Sequence, residues 1–83
     1  MATAKKVTIY STPTCVYCRM AKDFFGEHHV PYVEHNVASD LKAREEMFAK
    51  SRQMGVPVID VDGQIIVGFD KRTLESLLLS PAQ

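Results

Sequence analysis

An α/β domain is the fold class predicted by this chain of 83 residues, in the order strand, helix, strand, helix, hairpin, helix. Three observations carry the prediction. The apolar run Val7–Ser11 gives way, across Thr12-Pro13-Thr14, to a stretch with helical period. After Pro31 the same change from strand pattern to helix pattern occurs again. Asp62-Gly63 then separates two short apolar runs, the strongest local hairpin signal. A strand–helix–strand unit implies parallel strands joined by a right-handed crossover, and the hairpin adds an antiparallel pair. Helices on both faces of a four-stranded mixed sheet would bury it.

Each element has its own local reason. Val7–Ser11 is short, β-branched and aromatic, and ends in turn chemistry. Residues from about 15 to 28 read as a helix with an apolar stripe through Tyr17, Ala21, Phe24, Phe25 and His28, while Arg19, Lys22, Asp23 and Glu27 fall mostly elsewhere. Pro31 punctuates, and residues 32–37 read as the second strand. Ser39 or Asp40 is a candidate N-cap for a helix to about Ser51, buried through Leu41, Met47 and Phe48. Gly55-Val56-Pro57 breaks the chain before the hairpin strands, Val58–Val61 and Gln64–Val67. Asp70 caps a last helix with a stripe of Leu74, Leu77 and Leu78, and Pro81 stops it.

Size and composition narrow the function. A chain this short forms one domain, residues 1–83, with no repeat, linker or low-complexity segment. Ten basic residues balance ten acidic ones, so no overall charge draws the chain to nucleic acid or a membrane surface. No run approaches the roughly 18 apolar residues that span a bilayer. The first residues, Met1-Ala2-Thr3-Ala4-Lys5-Lys6, have no apolar stretch after the lysines, so a cytoplasmic protein without a signal peptide is expected. In that compartment a structural disulfide should not persist, and a reactive or metal-binding cysteine pair is the better expectation.

The two cysteines are Cys15 and Cys18. Their spacing places both on one face at the start of the first helix, one turn apart. A helix N-terminus offers free N–H groups and the positive end of the macrodipole, which favour a thiolate. Cys15 is therefore the expected nucleophile and Cys18, one turn inside, the more covered partner. Arg19 and Lys22 could add positive potential or simply point to solvent.

The competing reading is half a zinc site. His29 and His35 follow at roughly finger-like spacing, but a finger needs its cysteines in a hairpin and its histidines on a helix. No metal site is expected. His28 and His29 lie about 20 Å along the helix from Cys15 at about 1.5 Å per residue, too far to serve as its base. Tyr17 could pack on the core or shape a substrate surface. Pro57 is either an ordinary strand-entry proline or a cis residue that turns the Val56 N–H and C=O outward to an extended substrate. Gly68-Phe69-Asp70 reads as a turn plus helix cap, whose N–H groups could hold a carboxylate.

Taken together, Thr8-Ile9-Tyr10-Ser11-Thr12-Pro13-Thr14-Cys15-Val16-Tyr17-Cys18, Gly55-Val56-Pro57-Val58-Ile59-Asp60 and Val67-Gly68-Phe69-Asp70 resemble the glutaredoxins of the thioredoxin superfamily. The likeness is greatest to small bacterial glutaredoxin-like proteins (YruB type), with NrdH redoxins as relatives, and runs over residues 5–79. It implies a thioredoxin fold with sheet order 2-1-3-4, a cis Pro57, Cys15 as attacking thiol and Cys18 as resolving thiol. It also implies a monomeric oxidoreductase of protein or glutathione mixed disulfides, with no resident cofactor. Glutathione or thioredoxin reductase would recharge it. Gln53, the Val56 backbone and Asp70 match glutathione-contacting positions.

The departures are specific. Val16 stands where glutaredoxins commonly have Pro. Thr12 stands where glutathione-dependent members often have Lys. Val67 and Lys71 each replace one member of a residue pair found near the last helix of glutathione-binding members. Gly68-Phe69 is shared with redoxins that thioredoxin reductase reduces. A role from another class, also implied by the family, is an iron–sulfur cluster held by Cys15 across a dimer.

Overall fold

The computed structural model describes residues 6–78. Seven elements follow in the expected order: β1 (Val7–Ser11), α1 (Val16–Glu27), β2 (Val33–Asn36), α2 (Leu41–Ser51), β3 (Val58–Val61), β4 (Gln64–Val67) and α3 (Lys71–Leu78). The sheet runs β2-β1-β3-β4. β1 pairs parallel to β2 and antiparallel to β3, and β3 pairs antiparallel to β4. This is the mixed sheet that the resemblance implied.

Alternation along the central strands sorts the core onto two faces. Val7, Ile9, Ile59 and Val61 meet Ala21, Phe24 and Phe25 of α1 and Leu74 of α3. On the other face Tyr10 and Val58 meet Ala43 and Met47 of α2. Helices thus cover both faces. Leu77 and Leu78 pack part-buried against the first cluster, whereas the stop expected at Pro81 lies outside the described residues.

Local signals explain the boundaries. α1 ends in a Schellman arrangement. His29 takes the left-handed conformation (φ 56), the Val30 N–H donates to the Phe25 carbonyl at 2.8 Å, and the His29 N–H donates to that of Gly26 at 3.3 Å. Asp40, rather than Ser39, caps α2 by accepting from the Ala43 N–H at 3.0 Å. Asp62 and Gly63 both have positive φ, as a two-residue hairpin turn requires.

Two helix faces differ from the sequence expectation. On α2 the buried residues are Ala43 and Met47, while Leu41 and Phe48 are exposed. At about 100° per residue, Leu41 and Phe48 lie some 100–120° round the helix from Met47, beyond the strip that reaches the sheet. On α1 the buried stripe passes through Cys18, Ala21, Phe24 and Phe25, which leaves Tyr17 and His28 exposed.

Two polar networks tie helices to the sheet. The fully buried Tyr10 hydroxyl donates to Glu46 Oε1 at 2.7 Å and accepts from Lys50 Nζ at 2.8 Å. Lys50 also donates to Asp60 Oδ2 at 2.7 Å. Burial works against the Lys50 charge, but the bonds to Asp60 and Tyr10 outweigh it and raise the ammonium above its ordinary value. On the α1 side, Glu34 Oε2 accepts from Lys22 Nζ at 2.8 Å and from Ser11 Oγ at 2.7 Å.

Lys22, then Ser11, hold the Glu34 carboxyl below its ordinary 4.5. A carboxylate lowered on folding stabilises the protein above its unfolded value, and that contribution is lost as the pH falls through the folded one. The stability gap between wild type and Glu34→Gln is therefore expected to be full at neutral pH and to close below pH 4.5. Urea unfolding across that range checks it, and a gap independent of pH would contradict it.

Candidate active site

β1 hands the chain to α1 through a tight turn, in which the Cys15 N–H donates to the Thr12 carbonyl at 3.3 Å. Cys15 is the N-cap of α1, with extended backbone (φ −86, ψ 116). Its Sγ accepts from the Cys18 N–H at 3.1 Å. A thiol here takes the place that Ser, Thr or Asp fills at most helix starts. The first turn of α1 contains no acidic residue, so the N-terminal end of the helix dipole acts on this sulfur unopposed by its own turn.

The two sulfurs sit in different surroundings. Cys15 is half-buried and Cys18 fully buried, both as free thiols. Burial, and then the hydrogen bond to Cys15, push the Cys18 thiol up to about 12, against a backbone hydrogen bond from Thr12 that pulls it down. At neutral pH Cys18 is thus a protonated thiol beside a half-exposed partner. His28 and His35 pack elsewhere. The His28 ring lies 4.6 Å from that of Phe24, and His35 stacks on Tyr10 at 5.4 Å.

Two depressions flank this helix start. Cys15 lines a pocket of about 200 Å³ with Pro13, Thr14, Val16 and Arg19. A groove of about 320 Å³ is lined by Tyr17, Val56, Pro57, Val67, Gly68, Phe69 and Asp70. The Val56-Pro57 peptide bond is cis, and Pro57 is buried. The Gly68 N–H donates to the Pro57 carbonyl at 2.8 Å, and its φ of +85 turns the chain from β4 into Phe69-Asp70. Only a residue free of a Cβ adopts that backbone at low cost. Neither the Val56 N–H nor its C=O pairs with another backbone group among the described residues.

The structure therefore brings Tyr17, Val56, Pro57, Phe69 and Asp70 to one groove. Tyr17 lies on the surface side of the two alternatives, exposed at 61%. Gln53 and Thr12 line neither depression. The Gln53 amide is folded onto its own loop: Nε2 donates to the Gly55 carbonyl at 3.0 Å and Oε1 accepts from the Gly55 N–H at 2.7 Å. The Asp70 carboxylate caps α3, accepting from the Thr73 N–H at 3.2 Å and from Thr73 Oγ1 at 2.7 Å. Those bonds to Thr73 hold its carboxyl below the ordinary value.

Sequence reasoning missed the Ser11–Glu34–Lys22 network. Lys22 is one turn beyond Cys18, which marks its face, but no local signal links it to a strand residue twelve positions on.

Among the described residues, no helix is long and apolar enough to cross a membrane. The glutaredoxin family model matches residues 7–66. A glutaredoxin-like 8.6 kDa protein from the rubredoxin operon of Clostridium pasteurianum is 49% identical over 72 residues, which are 87% of this chain and 96% of that protein. Glutaredoxin 3 of Escherichia coli K12 is 38% identical over 64 residues, 77% of each chain. The solved structure of NrdH-redoxin from Escherichia coli has a TM-score of 0.80 over 92% of this chain and 99% of that one, a likeness of fold at 24% identity. A cysteine-capped helix after β1, a sheet of order 2-1-3-4 and these matches over most of its length make this chain a member of the glutaredoxin family with a thioredoxin fold.

Proposed function

We propose that the protein is a dithiol thiol–disulfide oxidoreductase that reduces protein or glutathione mixed disulfides in the cytoplasm. The observation that carries this reading is the half-exposed Cys15 Sγ, held at the N-cap of α1 by the Cys18 N–H, beside a buried and protonated Cys18. Cys15 as thiolate attacks one sulfur of the substrate disulfide. That S–S bond breaks, a mixed disulfide forms, and the first sulfur leaves as a thiolate that takes its proton from water. Cys15 has then lost both its charge and its place as acceptor for the Cys18 thiol, which removes two of the influences that keep Cys18 protonated. Cys18 attacks Cys15, the second thiol departs with the proton, and an internal disulfide remains. Two electrons from a separate reductant restore both thiols.

The groove of Tyr17, Val56, Pro57 and Phe69 supports an extended polypeptide as substrate. The unpaired Val56 backbone offers it a strand-like hydrogen bond, and exposed Val16, Tyr17 and Val67 offer apolar contact.

One set of observations favours recharging by thioredoxin reductase over glutathione. Three positions that serve glutathione in the family are otherwise engaged or uncharged here. Thr12 carries no charge, Gln53 is bound to its own loop, and Asp70 caps its own helix. A coupled assay offering either glutathione with its reductase or thioredoxin reductase tests this, and faster turnover with glutathione would overturn the preference. Thr12→Lys should strengthen glutathione use by about 1 kcal/mol, the size of a partly exposed charge-assisted contact. Glutathione KM for the variant is the readout, and no change would mean that the carboxylate does not lie there. Protein purified without oxygen is expected to be colourless. Visible absorption with bound iron would instead support a cluster on Cys15.

A further inference from the structure

The Lys22–Glu34–Ser11 network has no part in the mechanism as derived so far. Its geometry ties it to Cys18. Lys22 is four residues beyond Cys18 on α1 and shares its face. The ammonium is held there by Glu34 Oε2 at 2.8 Å, from the edge strand β2. The same carboxylate oxygen accepts from Ser11 Oγ at 2.7 Å. Ser11 is buried, ends β1, and directly precedes Thr12, whose backbone hydrogen-bonds the Cys18 sulfur. A carboxylate so bound fixes the cation and the end of β1 together.

We infer that Lys22 is a positioning residue for the resolving step: held by Glu34 and Ser11, its ammonium supports the negative charge that gathers on Cys18 as that sulfur attacks the mixed disulfide on Cys15. This rests on the dithiol reading of the site. The step balances as written above: the Cys15–Cys18 bond forms, the bond from Cys15 to the substrate sulfur breaks, and the Cys18 proton ends on the departing thiol. Lys22 stays protonated throughout and acts through its charge.

The groups around the two partners agree with this role. Burial, and then Cys15, hold Cys18 as a thiol, while the Thr12 backbone and, more weakly, the Lys22 charge favour its thiolate. Lys22 is faced by Glu34, Tyr32 and Cys18, all of which favour its charged form. Arg19, by contrast, lines the pocket at Cys15.

The test separates attack from resolution in the whole protein. Reduced protein is mixed with the chromogenic disulfide dithiobis(nitrobenzoic acid), and release of thionitrobenzoate is followed by stopped flow. The first equivalent reports attack by Cys15 and the second reports resolution by Cys18. In Lys22→Gln the second phase is expected to slow by about three- to tenfold, the effect of one partly screened charge nearby. Its pH profile should move to higher pH, while the first phase stays within about twofold. Lys22→Arg should restore both rate and profile.

A second phase unchanged in rate and pH profile in Lys22→Gln overturns the proposal. So does a Lys22→Arg variant as slow as Lys22→Gln, because that would make the effect one of packing. If Lys22→Gln folds poorly, Lys22→Gln with Glu34→Gln removes the unpaired carboxylate and is expected to show the same slowed second phase. A wild type with no second phase at all would instead defeat the dithiol reading itself.

Discussion

Cys15→Ser is expected to reduce disulfide reduction to background, a loss on the order of a thousandfold or more, because no second sulfur can take its place. Cys18 is fully buried, and its thiol is held protonated by burial and by Cys15. It cannot meet an incoming disulfide from solvent. Cys18→Ser, in contrast, keeps the attacking sulfur at the cap of α1 but leaves nothing to displace the bound substrate. In the absence of other thiols it should accumulate mixed disulfides on Cys15, visible by intact-mass measurement as one adduct per chain. The roles assigned here would be refuted by equal loss of the first attack in both variants, or by adducts that form on Cys18.

Phe25→Ala should be the most damaging of the core truncations, at about 3–5 kcal/mol. Phe25 is fully buried in the cluster that joins α1 to β1 and β3. Its ring meets Phe24 edge-on at 6.0 Å and Tyr32 at 5.1 Å. Removing it opens a cavity between the helix that carries both cysteines and the sheet that supports them. A domain of this length has a total stability of about 4–12 kcal/mol at the usual value per residue, so the variant should be partly unfolded at moderate temperature. Urea denaturation with an unchanged slope checks the expectation, and a loss below about 1 kcal/mol would show that the neighbours collapse into the space.

Both effects concern residues that stood out in the chain. Cys15 is legible because the turn before it and the helical period after it are local features, and the cap position follows from them. Phe25 is legible because it repeats with Ala21 at helical spacing. Tyr17 and Phe48 show where the same method fails. Periodicity finds an apolar stripe but not its width, and the strip that reaches the sheet is narrower than the apolar sequence suggests. Cys18, a small residue easily left out of a hydrophobic count, fills the position on α1 that Tyr17 was expected to take.

The polar site residues divide in the same way. Asp40 and Asp70 are local caps, each bound to a residue three positions on, and could be anticipated. Gln53 looks available as a ligand contact in the sequence, yet its amide is spent on Gly55 two residues away. Thr12, a candidate substrate contact in the sequence, lines neither depression, and its backbone reaches the buried sulfur instead.

The chain by itself determined the order of elements, the hairpin at Asp62-Gly63 and the cysteine pair at the start of α1. Those depend on interactions between residues a few positions apart, which a pattern can express. The tertiary structure alone decided that Glu34 anchors Lys22 beside Cys18 and that Gly68 binds Pro57 to close the groove. Such pairings join strands and helices distant in sequence, and their geometry exists only once the sheet has set its order and register.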